Sequence, residues 1–255
     1  MARVLGARGA LVMAVLGLTW AAVSRAQPPW SGESFLPDYS LLKPVTTRFG
    51  QDYVYLAPGA AEHVVKFVKV MIDQPEVFVS PTSPYGGAKP ADLTGVAEFV
   101  RSRVAAQLAA RGYQVVTEKG ADVVYLRIGV TDLKLKSKGR RLLAYTPVGF
   151  VLSTVVRAAQ DFLQKMDVTN VVLQGEWLDS VSGEQLAEGV ATRGEAGAAA
   201  GAKPQPLSYK QFESTIDDLS ARFACRMDNG RVPLSERIDC SDPAARQARA
   251  PVAPG

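Results

Sequence analysis

The chain has 255 residues, enough for one large domain or two small ones. It is 47% hydrophobic and 21% charged, which argues against a disordered, collagenous, coiled-coil or multi-pass membrane chain. A formal charge of +4 invites a nucleic-acid reading, but a lone histidine, His63, and two cysteines, Cys225 and Cys240, leave little for a zinc site or histidine-based catalysis.

Residues 1–26 read as a secretory signal peptide. Arg3 and Arg8 form a positive start, and the apolar run Leu11–Val23 is short for a membrane span. Ser24-Arg25-Ala26 places small residues at a cleavage site before Gln27; an uncleaved anchor is the alternative. With no cysteine beside that site, a lipid anchor is not expected, and no later stretch has the length of a membrane helix. The leader carries three arginines and no acid, so 26 basic residues then face 25 acidic ones. Nucleic acid becomes a poor partner on charge and on compartment. An oxidising compartment permits a Cys225–Cys240 disulfide, structural rather than redox-active and worth about 3 kcal/mol by the chain-entropy estimate. Two free thiols are the alternative.

Residues 27–50, rich in Pro, Ser and Gly, read as an extended lead-in to a single domain over 51–240. Tyr53–Leu56 is a short strand ended by Pro58-Gly59. His63–Ser80 is β-branched and broken by Pro75, hence one long or two short strands, with Val64, Val68, Val70 and Ile72 on one face. A helix from about Asp92 to Arg111 carries Leu93, Val96, Val100, Val104 and Leu108 on one stripe. Asp92 or Thr94 can cap it, and Gly112 suits a left-handed end. Tyr113–Thr117, the turn Glu118-Lys119-Gly120 and Ala121–Leu135 read as an antiparallel hairpin.

Within that last strand Val124, Leu126, Ile128 and Val130 alternate, and then the phase flips to Leu133 and Leu135. A slip of one residue reverses every side chain, so a bulge near Thr131-Asp132, or departure of the strand from the sheet, is expected. A helix follows from about Val148 to Lys165. Val168–Leu178 is a strand with Val171, Leu173 and Trp177 inward and Gln174 and Glu176 outward. After the loop Asp179–Gly183 the chain returns as a strand over Glu184–Thr192. Gly194–Pro206 reads as a mobile loop, and Ser208–Met227 as a helix striped with Phe212, Ile216, Leu219 and Phe223. Residues 241–255 read as a disordered tail. The sum is an α+β fold, a single domain with a largely antiparallel sheet and helices packed on one face.

The strongest charge feature is the basic strip Lys134, Lys136, Lys138, Arg140 and Arg141, with three lysines at period two. It suits an anionic envelope surface, or simply an edge strand guarded by lysines. His63 has no second ligand near it in sequence and reads as structural. Glu176, Asp179, Glu184 and Glu188 flank a hairpin, where acids are normally solvated; catalysis by such a pair is the sharper, less favoured reading. Asp217 and Asp218 fall off the apolar stripe and read as solvent-facing. Trp30, Tyr39, Tyr53, Tyr55 and Tyr85 suit a binding surface or, more simply, fasten the lead-in to the sheet. No phosphate loop, catalytic-serine or zinc-protease motif is present.

Several short runs, in order, resemble a bacterial envelope family known as domain of unknown function 3313, whose members are mostly lipoproteins. They are Phe35-Leu36-Pro37-Asp38-Tyr39-Ser40 with Leu42-Lys43-Pro44, Tyr53-Val54-Tyr55, Val70-Met71-Ile72-Asp73, Leu178-Asp179-Ser180 and Gly183-Glu184-Gln185-Leu186. The resemblance implies an envelope location but no activity, ligand or catalytic residue. The expectation is an exported, periplasmic or secreted, non-enzymatic accessory factor that binds an envelope protein, with no cofactor and no metal. The alternatives are a lipid- or glycan-surface binder using residues 134–141, and an enzyme of unrecognised type.

Overall fold

The computed structural model describes residues 35–47, 50–137, 154–192 and 206–249. The leader, Trp30, residues 138–153, most of the loop 194–206 and residues 250–255 lie outside these. At the centre two long strands, β6 (Val123–Ser137) and β7 (Met166–Asp179), pair antiparallel. Val124, Leu126, Ile128 and Val130 enter the main core, and so do Leu133 and Leu135 after the phase flip. Between them Asp132 adopts φ 48°, and the register to β7 shifts between Thr131 and Lys134. The flip is therefore a bulge inside the sheet. Asp132 accepts a hydrogen bond from Asn170 and sits 3.6 Å from the Lys134 ammonium, which offsets a left-handed backbone costing roughly 1–2 kcal/mol.

On one side of this pair β8 (Gln185–Thr192), β2 (Gly50–Leu56) and β1 (Lys43–Thr47) follow in that order, all antiparallel. On the other side the sheet turns parallel. There β3 (Lys69–Ile72) pairs with both β6 and β5 (Gln114–Val116), and β4 (Glu76–Val79) extends along β6 past Pro75. The sheet is thus mixed, eight strands in all among the described residues. The expected hairpin of Tyr113–Thr117 with Ala121–Leu135 does not form, because β3 lies between the two strands. The link over 117–122 crosses that gap, held by Ser180, whose hydroxyl accepts from the Gly120 N–H and donates to its carbonyl. Val70 and Ile72 fill the gap with apolar bulk that a local turn signal does not register. Residues 63–66 are likewise not strand: the end of α1 (Ala60–His63) and a 3-10 turn, Val64–Lys66, precede β3.

Helices α2 (Pro90–Ala110), α3 (Thr154–Lys165) and α4 (Tyr209–Gly230) cover one face. In α2 the cap is Lys89 rather than Asp92 or Thr94, with the Asp92 carboxylate accepting from the Lys89 N–H at 2.9 Å. Gly112 takes φ 88° after the helix, as its lack of a side chain allows. The stripe of α4, Phe212, Ile216, Leu219 and Phe223, is fully buried, each side chain contributing about 1.5–3 kcal/mol. Arg103 of α2 reaches Glu213 and Asp217 of α4. Asp218 pairs with Arg222 and Arg246. Both aspartates thus bridge elements instead of facing solvent alone.

The opposite face carries the lead-in. Phe35 and Leu36 pack on Val172 and Val190, with Tyr39, Leu42, Tyr53 and Phe78 around them. The Tyr39 hydroxyl accepts from the Phe35 N–H at 2.9 Å and donates to Gln174 at 2.7 Å. Tyr39 and Tyr53 therefore fasten the lead-in, as the plainer reading held. At the far end Cys225 and Cys240 form a disulfide with Cα atoms 5.7 Å apart. Part of the expected loose tail is folded: α5 (Pro243–Ala248) is capped by Asp242, and Arg246 grips Asp218 and the Cys240 carbonyl. The disulfide brings the tail back to α4, where those partners wait.

Candidate binding cleft

A half-enclosed cleft of about 350 Å³ opens on the helix side, under the β1–β2 hairpin. Period-two alternation decides which hairpin residues reach it. Tyr53 and Tyr55 stand opposite Val190 and Glu188 toward the lead-in face, so Val54 and Leu56 turn the other way. Val45 of β1 joins them in the near wall. Phe67, Tyr113, Trp177 and Leu186 line it further in. The far wall is the end of α4, with Arg226, Met227 and Gly230, and then Arg231, Arg237, Ile238 and Cys240. That wall follows a helix end and is tied back by the disulfide and by Asn229, which donates to the Ile238 carbonyl at 2.8 Å and accepts from the Ile238 N–H.

Two glycines shape the floor. A Cβ at Gly175 would sit 2.9 Å from the Trp177 indole, and one at Gly189 3.3 Å from it. The indole therefore lies over two bare backbone positions on adjacent strands, edge-on to Phe223 at 5.2 Å. Trp177 is 6% exposed and its Nε1 has no acceptor.

Arg226 is anchored by Asp52 of β2. That aspartate, fully buried, also accepts from Arg222 at 2.8 Å and from the Thr192 N–H at 3.1 Å. One carboxylate thus serves two guanidiniums. Burial lowers the Arg226 pKa, against the pull of Asp52, and its Nη1 has no acceptor. Arg231 lies 5.5 Å over the Tyr113 ring.

On the other face of the sheet sits a carboxyl pair that sequence reasoning placed in solvent. Glu176 and Glu188 face each other across β7 and β8, 5% and 1% exposed. Arg127 donates to Glu176 at 2.7 Å, and Gln185 donates to Glu188 at 2.8 Å and to Glu176 at 3.3 Å. Burial, reinforced by the Glu176 charge and opposed by Gln185, pushes Glu188 up to about 7. Asp179 differs. Burial would raise it, but Lys66 and the N–H groups of Ser182 and Val181 hold it at about 2. Glu184 is exposed and joins neither.

The remaining predicted residues are scattered. Lys134 is half-buried beside Asp132, and Lys136 is exposed one strand repeat on. Lys138, Arg140 and Arg141 lie outside the described residues. His63 is exposed at the end of α1. Tyr85 packs on the main core. Arg226 was not singled out from sequence, and Val54 and Leu56 appeared there only as members of the short strand Tyr53–Leu56. The legible hint was Trp177, an inward aromatic two residues after Gly175. No described helix is long and apolar enough to cross a membrane.

No functionally curated protein matches the chain. Among solved structures it is similar to the PelC dodecamer from Paraburkholderia phytofirmans, at 11% identity and TM-score 0.35 over 68% of this chain and 97% of that one. A PelC variant from the same organism gives 13% identity and TM-score 0.34, covering 68% and 95%. A minor lipoprotein from Acinetobacter baumannii gives 15% and 0.29, covering 66% and 97%. A family model described as protein of unknown function (DUF3313) matches residues 31–223, and with the lead-in, the sheet and most of α4 inside that span the chain belongs to this family.

Proposed function

We propose that the protein is an exported, non-catalytic component of the cell envelope that acts by binding, with the cleft beneath the β1–β2 hairpin as its site. The observation that carries this reading is the cleft's mostly apolar lining combined with a few arginines, the usual make-up of a ligand pocket. Export is supported by the leader-like residues 1–26 and by a disulfide, which persists in oxidising compartments. Non-catalytic action is supported by the placement of the acids. Glu176 and Glu188 lie on the opposite face, and Asp52 is locked by two arginines.

The test uses the neutral apolar dye N-phenyl-1-naphthylamine. Its fluorescence should rise with the wild-type chain. It should not rise with Leu56→Trp, since Leu56 is 40% exposed at the cleft and its replacement fills the space without disturbing the core. Equal binding by both proteins defeats the proposal.

A second reading, a protein partner, is favoured by the outer edge of β1, which ends the sheet among the described residues and leaves Val45 40% exposed. A photo-crosslinker at Thr46 should then trap one discrete partner in the intact envelope. Absence of any adduct argues against it.

A further inference from the structure

We infer that the cleft holds a single-chain anionic amphiphile, its acyl tail against Val54, Leu56, Trp177 and Leu186 and its acidic head beside Arg226 and Arg237. The inference rests on the cleft being the binding site. It adds the chemical class of the ligand.

Three observations converge. The cavity, about 350 Å³, lies near the small end of ligand pockets and suits one chain rather than a two-chain lipid. Its charge is unbalanced. Arg226 and Arg237 line it, against Asp239 and Glu188, and the Glu188 carboxyl turns to the other face, where Gln185 donates to it. Asp52, the acid nearest Arg226, is already shared with Arg222. Finally, the Arg237 guanidinium on the lining donates to the Val232 carbonyl and pairs with no carboxylate among the described residues, which leaves it to an anion at the cleft. An anionic head answers the Arg237 charge, and arginine is the cation best matched to carboxylate and phosphate oxygens.

Carboxylate and phosphate heads share this chemistry, so the experiment carries both. The exported chain, purified with its disulfide intact, is loaded with N-phenyl-1-naphthylamine. The dye is then displaced with palmitate, with palmitoyl lysophosphatidate or with hexadecanol, which has the same chain and no charge. At least one acid should displace the dye about tenfold more strongly than the alcohol, the value of one charge-assisted hydrogen bond. Added salt should weaken the acids and leave the alcohol unchanged. Arg237→Glu should cost the preferred acid about tenfold and spare hexadecanol, which reports that the cleft is intact. If hexadecanol competes as well as both acids and salt has no effect, the anionic head is wrong and the apolar cleft stands. If the dye does not bind, or Leu56→Trp leaves its binding unchanged, both readings fall together.

Discussion

Replacing Glu188 by Gln should make the protein more stable near neutrality and abolish a specific pH dependence. Glu188 is 1% exposed, faces Glu176 across the sheet and leaves its Oε2 without a partner. Its carboxyl therefore prefers to be protonated, with a pKa of about 7 against an ordinary 4.5. The folded form binds this proton more tightly than the unfolded chain does. Its contribution to stability is whole below about pH 4.5 and is lost as pH rises through about 7. That interval, at about 1.36 kcal/mol per pH unit, amounts to about 3 kcal/mol. Glutamine mimics the protonated acid in size and carries no charge, and its amide can donate toward Glu176. Urea unfolding at a series of pH values measures the difference. The variant should match the wild type near pH 4 and exceed it by about 3 kcal/mol near pH 8. Asp179 does not confuse the measurement, because its sign is opposite. Held at about 2 in the fold, it stabilises above its ordinary 3.8 and loses that contribution only as pH falls toward 2. Burial also raises Asp217 and Asp228, and both cancel in the comparison of variant with wild type. A stability difference that is the same at pH 5 and pH 8 would refute the reasoning.

Two further outcomes test the covers of the sheet. Gly129→Ala puts a Cβ 2.5 Å from the Phe35 ring, so the lead-in should loosen at a cost of about 1–3 kcal/mol. Limited proteolysis should then cut residues 36–42 faster; an unchanged rate means that the lead-in does not depend on this contact. Removing the disulfide with Cys225→Ala and Cys240→Ala releases a 15-residue closure and should lower stability by about 3 kcal/mol, or Tm by roughly 10 °C. It should also weaken dye binding, because the far wall hangs on that bridge. A Tm within about 2 °C of wild type would contradict this account.

Much of this protein was determined by its sequence alone, wherever the relevant contact is local. The stripe Phe212, Ile216, Leu219 and Phe223 and the alternation of β7 follow from helical and strand periods, and the structure buries the residues they select. The bulge at Asp132 was legible for the same reason, since a change of phase between Val130 and Leu133 has few solutions inside a sheet. The two cysteines, 15 residues apart, made a bridge feasible. Tertiary structure decided the rest. Nothing in the turn Glu118-Lys119-Gly120 tells whether its strands are neighbours or are parted by a third, and the insertion of β3 depends on contacts some fifty residues away. Glu176 and Glu188 look solvated in sequence because each is a single acid beside a hairpin. Their burial comes from the facing strand and from Arg127 and Gln185 beside them, and desolvation by distant chain is what raises Glu188. The cleft is the extreme case. Its walls come from residues 45–56 and 226–241, brought together by the Asp52–Arg222–Arg226 contact and the disulfide, so no local pattern could outline it.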